Sequence, residues 1–163
     1  MTEPGLKSLL KGKVAILGFG NRPWGDDVAG SELAERLKAA NPKAAIFDGG
    51  MVPENYLEKV VAAKPDTVLL IDAADFGGEV GEWRVFSREE LAFTGISTHP
   101  GSPRLLAAYL KERTGSEVGL LAIQTGDPDK GNELSSKVAA AVNFTCFATQ
   151  KIRKQICGIS LPY

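Results

Sequence analysis

Residues 14–27 read VAILGFGNRPWGDD, and this stretch decides the fold. Its first four residues form a short aliphatic run, which is typical of a buried strand. The run ends in Gly18-Phe19-Gly20, a pattern that predicts a tight turn requiring glycine. Ligand sites in open α/β sheets gather where the strands end. Asp26 and Asp27 would stand beside such a site, and their mutual repulsion costs stability unless something uses them.

The same alternation of element types continues along the chain. Apolar runs predict strands at Val14–Leu17, Ala44–Phe47, Thr67–Ile71, Trp83–Phe86 and Val118–Ile123. Helical spacing of apolar residues predicts helices at Val28–Ala40, Asn55–Ala63, Leu105–Arg113 and Leu134 to about Ile156. Strands that alternate with helices imply a largely parallel sheet with helices on both faces.

The fourth strand breaks this alternation. Trp83–Phe86 follows the glycine-rich stretch 77–81, which leaves no room for a crossover helix, so we expect an antiparallel edge strand. The predicted fold is a three-layer α/β/α sandwich with a mostly parallel sheet of about five strands and that one antiparallel edge strand. With 163 residues, of which 44% are apolar, residues 1–163 are expected to form a single domain.

Composition excludes several classes of protein. The 19 basic and 20 acidic residues nearly balance, which argues against a nucleic-acid binder. No apolar run approaches the roughly 18 residues of a membrane span, and residues 1–13 lack the features of a secretory signal. Cys146 and Cys157, the only cysteines, are typical of thiols in a reducing compartment. We therefore expect a cytoplasmic protein with neither nucleic-acid nor membrane partners.

Polar residues follow several of the predicted strands. They are Asn21, Asp26 and Asp27 after the first strand, Asp48 after the second, Asp72 and Asp75 after the third, and Ser97, Thr98 and His99 before the next helix. Taken singly, such residues are common in turns, caps and first helical turns. Parallel strands would open all these loops on one edge of the sheet, so the carboxylates and the only histidine are predicted to share a cleft.

Two kinds of site fit this cleft poorly. Gly18-Phe19-Gly20 resembles the start of a dinucleotide fingerprint, but the third glycine would fall on Pro23, and the two adjacent aspartates would repel a pyrophosphate. A serine hydrolase could use Ser97, Thr98 or Ser102 beside His99, but the chain has no Gly-x-Ser-x-Gly elbow.

A metal site fits the residue types better. Two carboxylates and one imidazole suit nickel, zinc, manganese or iron(II). A closed structural zinc site is disfavoured because the chain has neither a pair of histidines nor clustered cysteines. A site with three ligands would keep an open position for water or for a metal carried by a partner.

Several blocks of the sequence together resemble a known family. The blocks are GFGNRPWGDDVAG at 18–30, DGGMVPEN at 48–55, IDAADFG at 71–77, GE at 81–82, STH at 97–99 and AIQ at 122–124. In this order they resemble the signature of the nickel-iron hydrogenase maturation endopeptidases, and in particular the branch that serves formate-hydrogenlyase-type hydrogenases.

The resemblance implies a function and a set of site residues. Members of this family remove a short C-terminal peptide from the precursor of the hydrogenase large subunit, after nickel has been inserted. Two acidic residues and a histidine would bind that nickel, and these positions fall on Asp27, Asp72 and His99. Nickel would then arrive with the precursor, which is the expected partner, and would not be bound at rest. Asp27 or Asp72 would act as the general base.

Two other functions remain possible at this stage. A metal-dependent hydrolase of a small molecule would hold its own metal tightly. A nickel-binding module without catalysis would carry surplus histidines or cysteines, whereas this chain has one histidine.

Overall fold

A five-stranded sheet forms the middle layer of the computed structural model, which describes residues 3–93, 102–126 and 133–157. The strands are β1 (Val14–Gly18), β2 (Ile46–Asp48), β3 (Thr67–Ala74), β4 (Trp83–Ser87) and β5 (Glu117–Gln124). Their order is β2-β1-β3-β5-β4, and all neighbours are parallel except β4 with β5. The predicted mostly parallel sheet with one antiparallel edge strand is confirmed.

Helices cover both faces of this sheet. They are α1 (Glu3–Leu9), α2 (Ala29–Ala40), α3 (Leu57–Ala62), α4 (Arg88–Leu91), α5 (Pro103–Thr114) and α6 (Ser136–Cys157), with 3-10 turns at Arg22–Val28 and Pro53–Tyr56. The four helices expected from the sequence correspond to α2, α3, α5 and α6. Within the described ranges, no helix has both the length and the apolar character needed to cross a membrane.

Helices α1 and α4 are short and were not expected from the sequence. Leu6 and Leu10 of the first segment are fully buried and Leu9 packs beside them, but three leucines in and directly after a seven-residue helix span too short a window to establish a helical period. Helix α4 is a single turn held by a capping box, in which Ser87 and Glu90 each accept a hydrogen bond from the other's main-chain N–H.

Each strand of the sheet contributes side chains to two hydrophobic cores. Ile16 and Leu69 pack with α1, α2 and α6, whereas their neighbours Leu17 and Leu70 pack with α3, α4 and α5. Successive side chains of a strand point to opposite faces, and a sheet covered on both sides buries both sets. This explains why the central strands β1, β3 and β5 read as continuous apolar runs, and it confirms the three layers.

The glycines of the opening stretch serve close packing. Neither Gly18 nor Gly20 has a left-handed backbone, so the expectation that the turn requires glycine for its conformation is wrong at these positions. A Cβ at Gly18 would collide with the carbonyl oxygen of Gly30, and one at Gly20 with that of Asp27. Their missing side chains let α2 and the preceding 3-10 turn lie directly on the ends of the strands.

Candidate active site

Asp27 and Asp72 lie near each other at the carboxyl edge of the sheet, close enough for their charges to interact. Asp27 lies in the 3-10 turn that follows β1, and Asp72 lies near the end of β3. The pairing of Gly18 with Ile71 aligns the two strands there, and the Phe19 N–H donates to the Ile71 carbonyl at 3.0 Å. The negative charge of Asp27 contributes to raising the pKa of Asp72, as expected of two neighbouring carboxylates.

Dehydration acts on both carboxyl groups. Burial is the largest cause that raises the pKa of Asp72 well above its ordinary value, the charge of Asp27 adds to it, and an Ala73 N–H hydrogen bond opposes it. The pKa of Asp27 is also raised by burial, although that residue keeps an exposed side. Two partly dehydrated carboxylates that repel each other favour a proton or a cation between them.

The main chain around Asp27 is held firmly. The Asn21 N–H donates to the Asp27 carbonyl at 3.1 Å, and the Gly20 N–H donates to the Gly50 carbonyl at 2.9 Å. Asn21 thus ties the turn through its backbone. Its side-chain oxygen is buried and accepts no hydrogen bond from the described part of the chain.

Asp26 has a different environment from its neighbour. It is 7% exposed, and its carboxylate accepts hydrogen bonds from the Gly126 N–H at 3.2 Å and from the Ser135 N–H and hydroxyl at 2.7 and 3.0 Å. Both oxygens are therefore engaged. Of the adjacent pair, Asp27 has the side chain that remains available to a ligand.

Gln124 holds the loop that follows β3. Its side-chain oxygen accepts the Phe76 and Gly78 N–H groups at 2.9 and 3.1 Å, and its amide nitrogen donates to Asp75 at 3.1 Å. Hydrogen bonds from the Gly77 N–H and from Gln124 lower the pKa of Asp75, which is a turn residue and not part of the carboxylate pair. A polar residue that ends the buried run of β5 is the sequence signal for such a clamp.

The remaining candidates divide between ordinary roles and residues outside the described ranges. Asp48 accepts the Gly50 N–H at 3.0 Å in a turn, and Ser102 caps α5 by accepting the Leu105 N–H at 3.4 Å. Within residues 3–93, 102–126 and 133–157, no three His, Cys, Asp or Glu side chains are grouped as metal ligands. Ser97, Thr98 and His99 lie outside those ranges, so the structure brings together Asp27 and Asp72 and does not place the third predicted ligand.

Comparisons with known proteins agree on one family. The model of the HycI hydrogenase maturation protease family matches residues 29–152, a range that includes Asp72 and His99 and begins two residues after Asp27. The hydrogenase 3 maturation protease of Escherichia coli K12 is 38% identical over 112 residues, which cover 67% of this chain and 70% of that protein.

Solved structures show the same relationship. The crystal structure of the NiFe hydrogenase maturation protease HycI from Thermococcus kodakarensis matches with a TM-score of 0.82 and 35% identity, over 91% of this chain and 98% of that one. The solution structure of the endopeptidase HycI from Escherichia coli matches with a TM-score of 0.72 and 32% identity, over 83% and 88% of the two chains. Identities of 35% and 32% over most of both chains show common family membership as well as a common fold.

Proposed function

We propose, because this chain belongs to the hydrogenase maturation protease family, that it removes the C-terminal extension of a nickel-iron hydrogenase large-subunit precursor. Cleavage would follow the insertion of nickel into that precursor. The observation that carries the proposal is the pair of neighbouring carboxylates Asp27 and Asp72 at the carboxyl edge of the sheet, whose pKa values are both raised by burial.

The carboxylate pair would recognise nickel that belongs to the substrate. Carboxylate oxygens suit a divalent first-row metal, and the imidazole of His99 would supply the third ligand. Nickel lying between Asp27 and Asp72 would offset their repulsion. A precursor without nickel would leave the two groups uncompensated, and unpaired polar groups at a recognition site cost several kcal/mol. The protease would thereby act only on precursors that have received their metal.

Hydrolysis of the peptide bond requires a base that accepts a proton from the attacking water. Asp27 and Asp72 are the candidates that the described residues offer at this edge. A base works best when its pKa lies near the operating pH, and the pKa of Asp72 is the more strongly raised of the two. This favours Asp72 as the proton acceptor, with Asp27 on the more exposed side towards the incoming precursor.

The test compares nickel-loaded and nickel-free precursor, each incubated with the protein and analysed by mass spectrometry. We expect the loss of a C-terminal peptide from the loaded form alone. Cleavage of both forms would contradict the recognition of nickel, and cleavage of neither would contradict the proposed function. Glu112→Gln neutralises an exposed carboxylate on α5, and it is the control for substitutions of Asp27 or Asp72. It should cleave the loaded precursor as the wild type does.

A further inference from the structure

The buried carboxylate of Asp26 joins two distant parts of the chain. Its three donors come from Gly126, two residues beyond the end of β5, and from Ser135, directly before α6. Hydrogen bonds to a carboxylate are roughly twice as strong as those between neutral groups, and the N-terminal end of a helix favours a negative charge. One side chain thus fixes the point where the chain leaves the sheet and the point where it enters α6.

These contacts border the proposed catalytic pair. Asp26 and Asp27 are consecutive residues of one 3-10 turn, so a movement of the first moves the second. On the other side the turn is held through the Asn21 N–H, which donates to the Asp27 carbonyl at 3.1 Å. The backbone that carries the Asp27 carboxylate is therefore fixed from two directions, and only one of these ties is made by a side chain.

We infer that Asp26 is a positioning residue of the proposed reaction. It sets the direction in which Asp27 presents its carboxylate and holds the Gly126 main chain at the edge of the site. The inference rests on the proposed function, and Asp26 itself contacts neither the substrate nor its metal. Displacement of a reacting group by about 1 Å lowers a rate roughly 100-fold, so a small shift of this turn would have a large effect on turnover.

Asp26→Asn tests this inference, because it keeps the shape of the side chain but turns an NH2 group towards one of the three donors. Ser116→Ala is the matched control. It removes another buried hydrogen bond between loops, from the Ser116 hydroxyl to the Pro65 carbonyl at 2.6 Å, at the opposite edge of the sheet. Both variants should lose stability, which circular dichroism would follow, and turnover is measured at a temperature at which both remain folded.

On nickel-loaded precursor we expect kcat of Asp26→Asn to fall by about 10-fold or more, with KM changed by less than about threefold. Ser116→Ala should keep kcat within about twofold of the wild type, since its lost bond lies far from the pair. A purely structural role would leave the two folded variants with similar kcat values, and that result would overturn the inference.

Ser135→Ala adds a graded step, because it removes the hydroxyl donor and leaves the Ser135 and Gly126 N–H bonds to Asp26. A loss of kcat of roughly two- to fivefold is expected. This variant also decides the question if Asp26→Asn does not fold, and a wild-type kcat would then contradict the inference.

Failure of the wild-type protein to cleave loaded precursor would overturn the proposed function, and the inference with it. Normal cleavage by both the wild type and Asp26→Asn would overturn the inference alone.

Discussion

Polar residues at the two ends of β3 have different environments. At the start of the strand, the Thr67 hydroxyl donates to the Lys11 carbonyl at 2.8 Å, and Asp66 accepts the Lys13 N–H at 2.7 Å. Near the other end, Asp72 is dehydrated and faces the charge of Asp27, with the Ala73 N–H as its compensating contact. The start of β3 therefore carries polar groups with hydrogen-bond partners, whereas its end carries a carboxylate whose ionised form is penalised by burial and repulsion.

This difference separates residues that stabilise the fold from residues that serve its function. Paired polar groups at the start of β3 lower the energy of the folded state. The carboxylates at its end do the opposite at neutral pH, because burial and repulsion penalise their ionised forms. Natural proteins keep such unfavourable groups mainly at functional sites. Substitutions at the two ends should consequently affect activity and stability in opposite ways.

The largest expected effect is the loss of processing in Asp72→Asn. An amide cannot accept the proton of the attacking water and is a weaker ligand for a divalent metal, and general bases contribute about 10²- to 10⁴-fold to a rate. We expect cleavage of nickel-loaded precursor to fall by at least about 100-fold, measured as the initial rate of peptide release. A rate within tenfold of the Glu112→Gln control would exclude Asp72 from the reaction.

His99→Ala should have a comparable effect on processing. The expectation comes from the sequence resemblance, because this residue lies outside the described ranges. If His99 binds the substrate's nickel, its loss abolishes cleavage and leaves the thermal unfolding midpoint nearly unchanged. A large drop in the midpoint, measured by differential scanning calorimetry, would instead identify His99 as a residue of the core.

Asp72→Asn should also stabilise the protein at neutral pH. Since the pKa of Asp72 is raised on folding, its contribution to stability is complete below the unfolded pKa and is lost as the pH rises through the folded value. The asparagine of the variant does not ionise, so its contribution to stability does not fall as the pH rises. We expect a gain on the order of 1 kcal/mol near pH 7, or about 2–4 °C in the midpoint, that disappears below about pH 4. A gain that is independent of pH would contradict this assignment.

The coupling of the two carboxylates gives a smaller and more specific prediction. Asp27→Asn removes a negative charge that raises the pKa of Asp72, so that pKa should fall while remaining above its ordinary value because burial persists. Carbon-13 NMR of the Asp72 carboxyl group during a pH titration would measure the change. Asp48→Asn is the control at the end of β2. An equal fall in both variants would show that Asp27 has no special proximity to Asp72.

The sequence predicted the strands of the sheet better than the roles of the aspartates at its carboxyl edge. Continuous apolar runs predicted the three central strands β1, β3 and β5, because a sheet covered on both faces must be apolar on both. The outer strands β2 and β4 are only partly buried, and their predicted positions also overlap the observed ones. Spacing alone could not separate Asp26 from Asp27, since adjacent aspartates look alike until their donors are known. Those donors, Gly126 and Ser135, lie 100 and 109 residues further along the chain. Contacts at such separations are set by the fold and leave no local pattern.

Glycine illustrates the same limit at Gly18. The sequence indicated that glycine was needed there, but the reason was wrong: the requirement comes from the Gly30 carbonyl of a helix that packs against the strand end. A tertiary contact and a turn conformation demand the same residue, so only the folded structure distinguishes the two reasons.

The smallest expected effect lies at the satisfied end of β3. Thr67→Val keeps the shape of a side chain that is 2% exposed and removes its hydroxyl donor to the Lys11 carbonyl. Loss of one such bond costs about 0.5–1.5 kcal/mol, which urea unfolding would detect as a lower midpoint at an unchanged slope. Cleavage of nickel-loaded precursor should stay within about twofold of the wild type, because the substituted group lies at the opposite end of the strand from Asp72. A stability loss with normal activity here, set against a stability gain with lost activity in Asp72→Asn, would establish that one strand divides the two roles between its ends. Lost activity in Thr67→Val would show that the two ends are coupled.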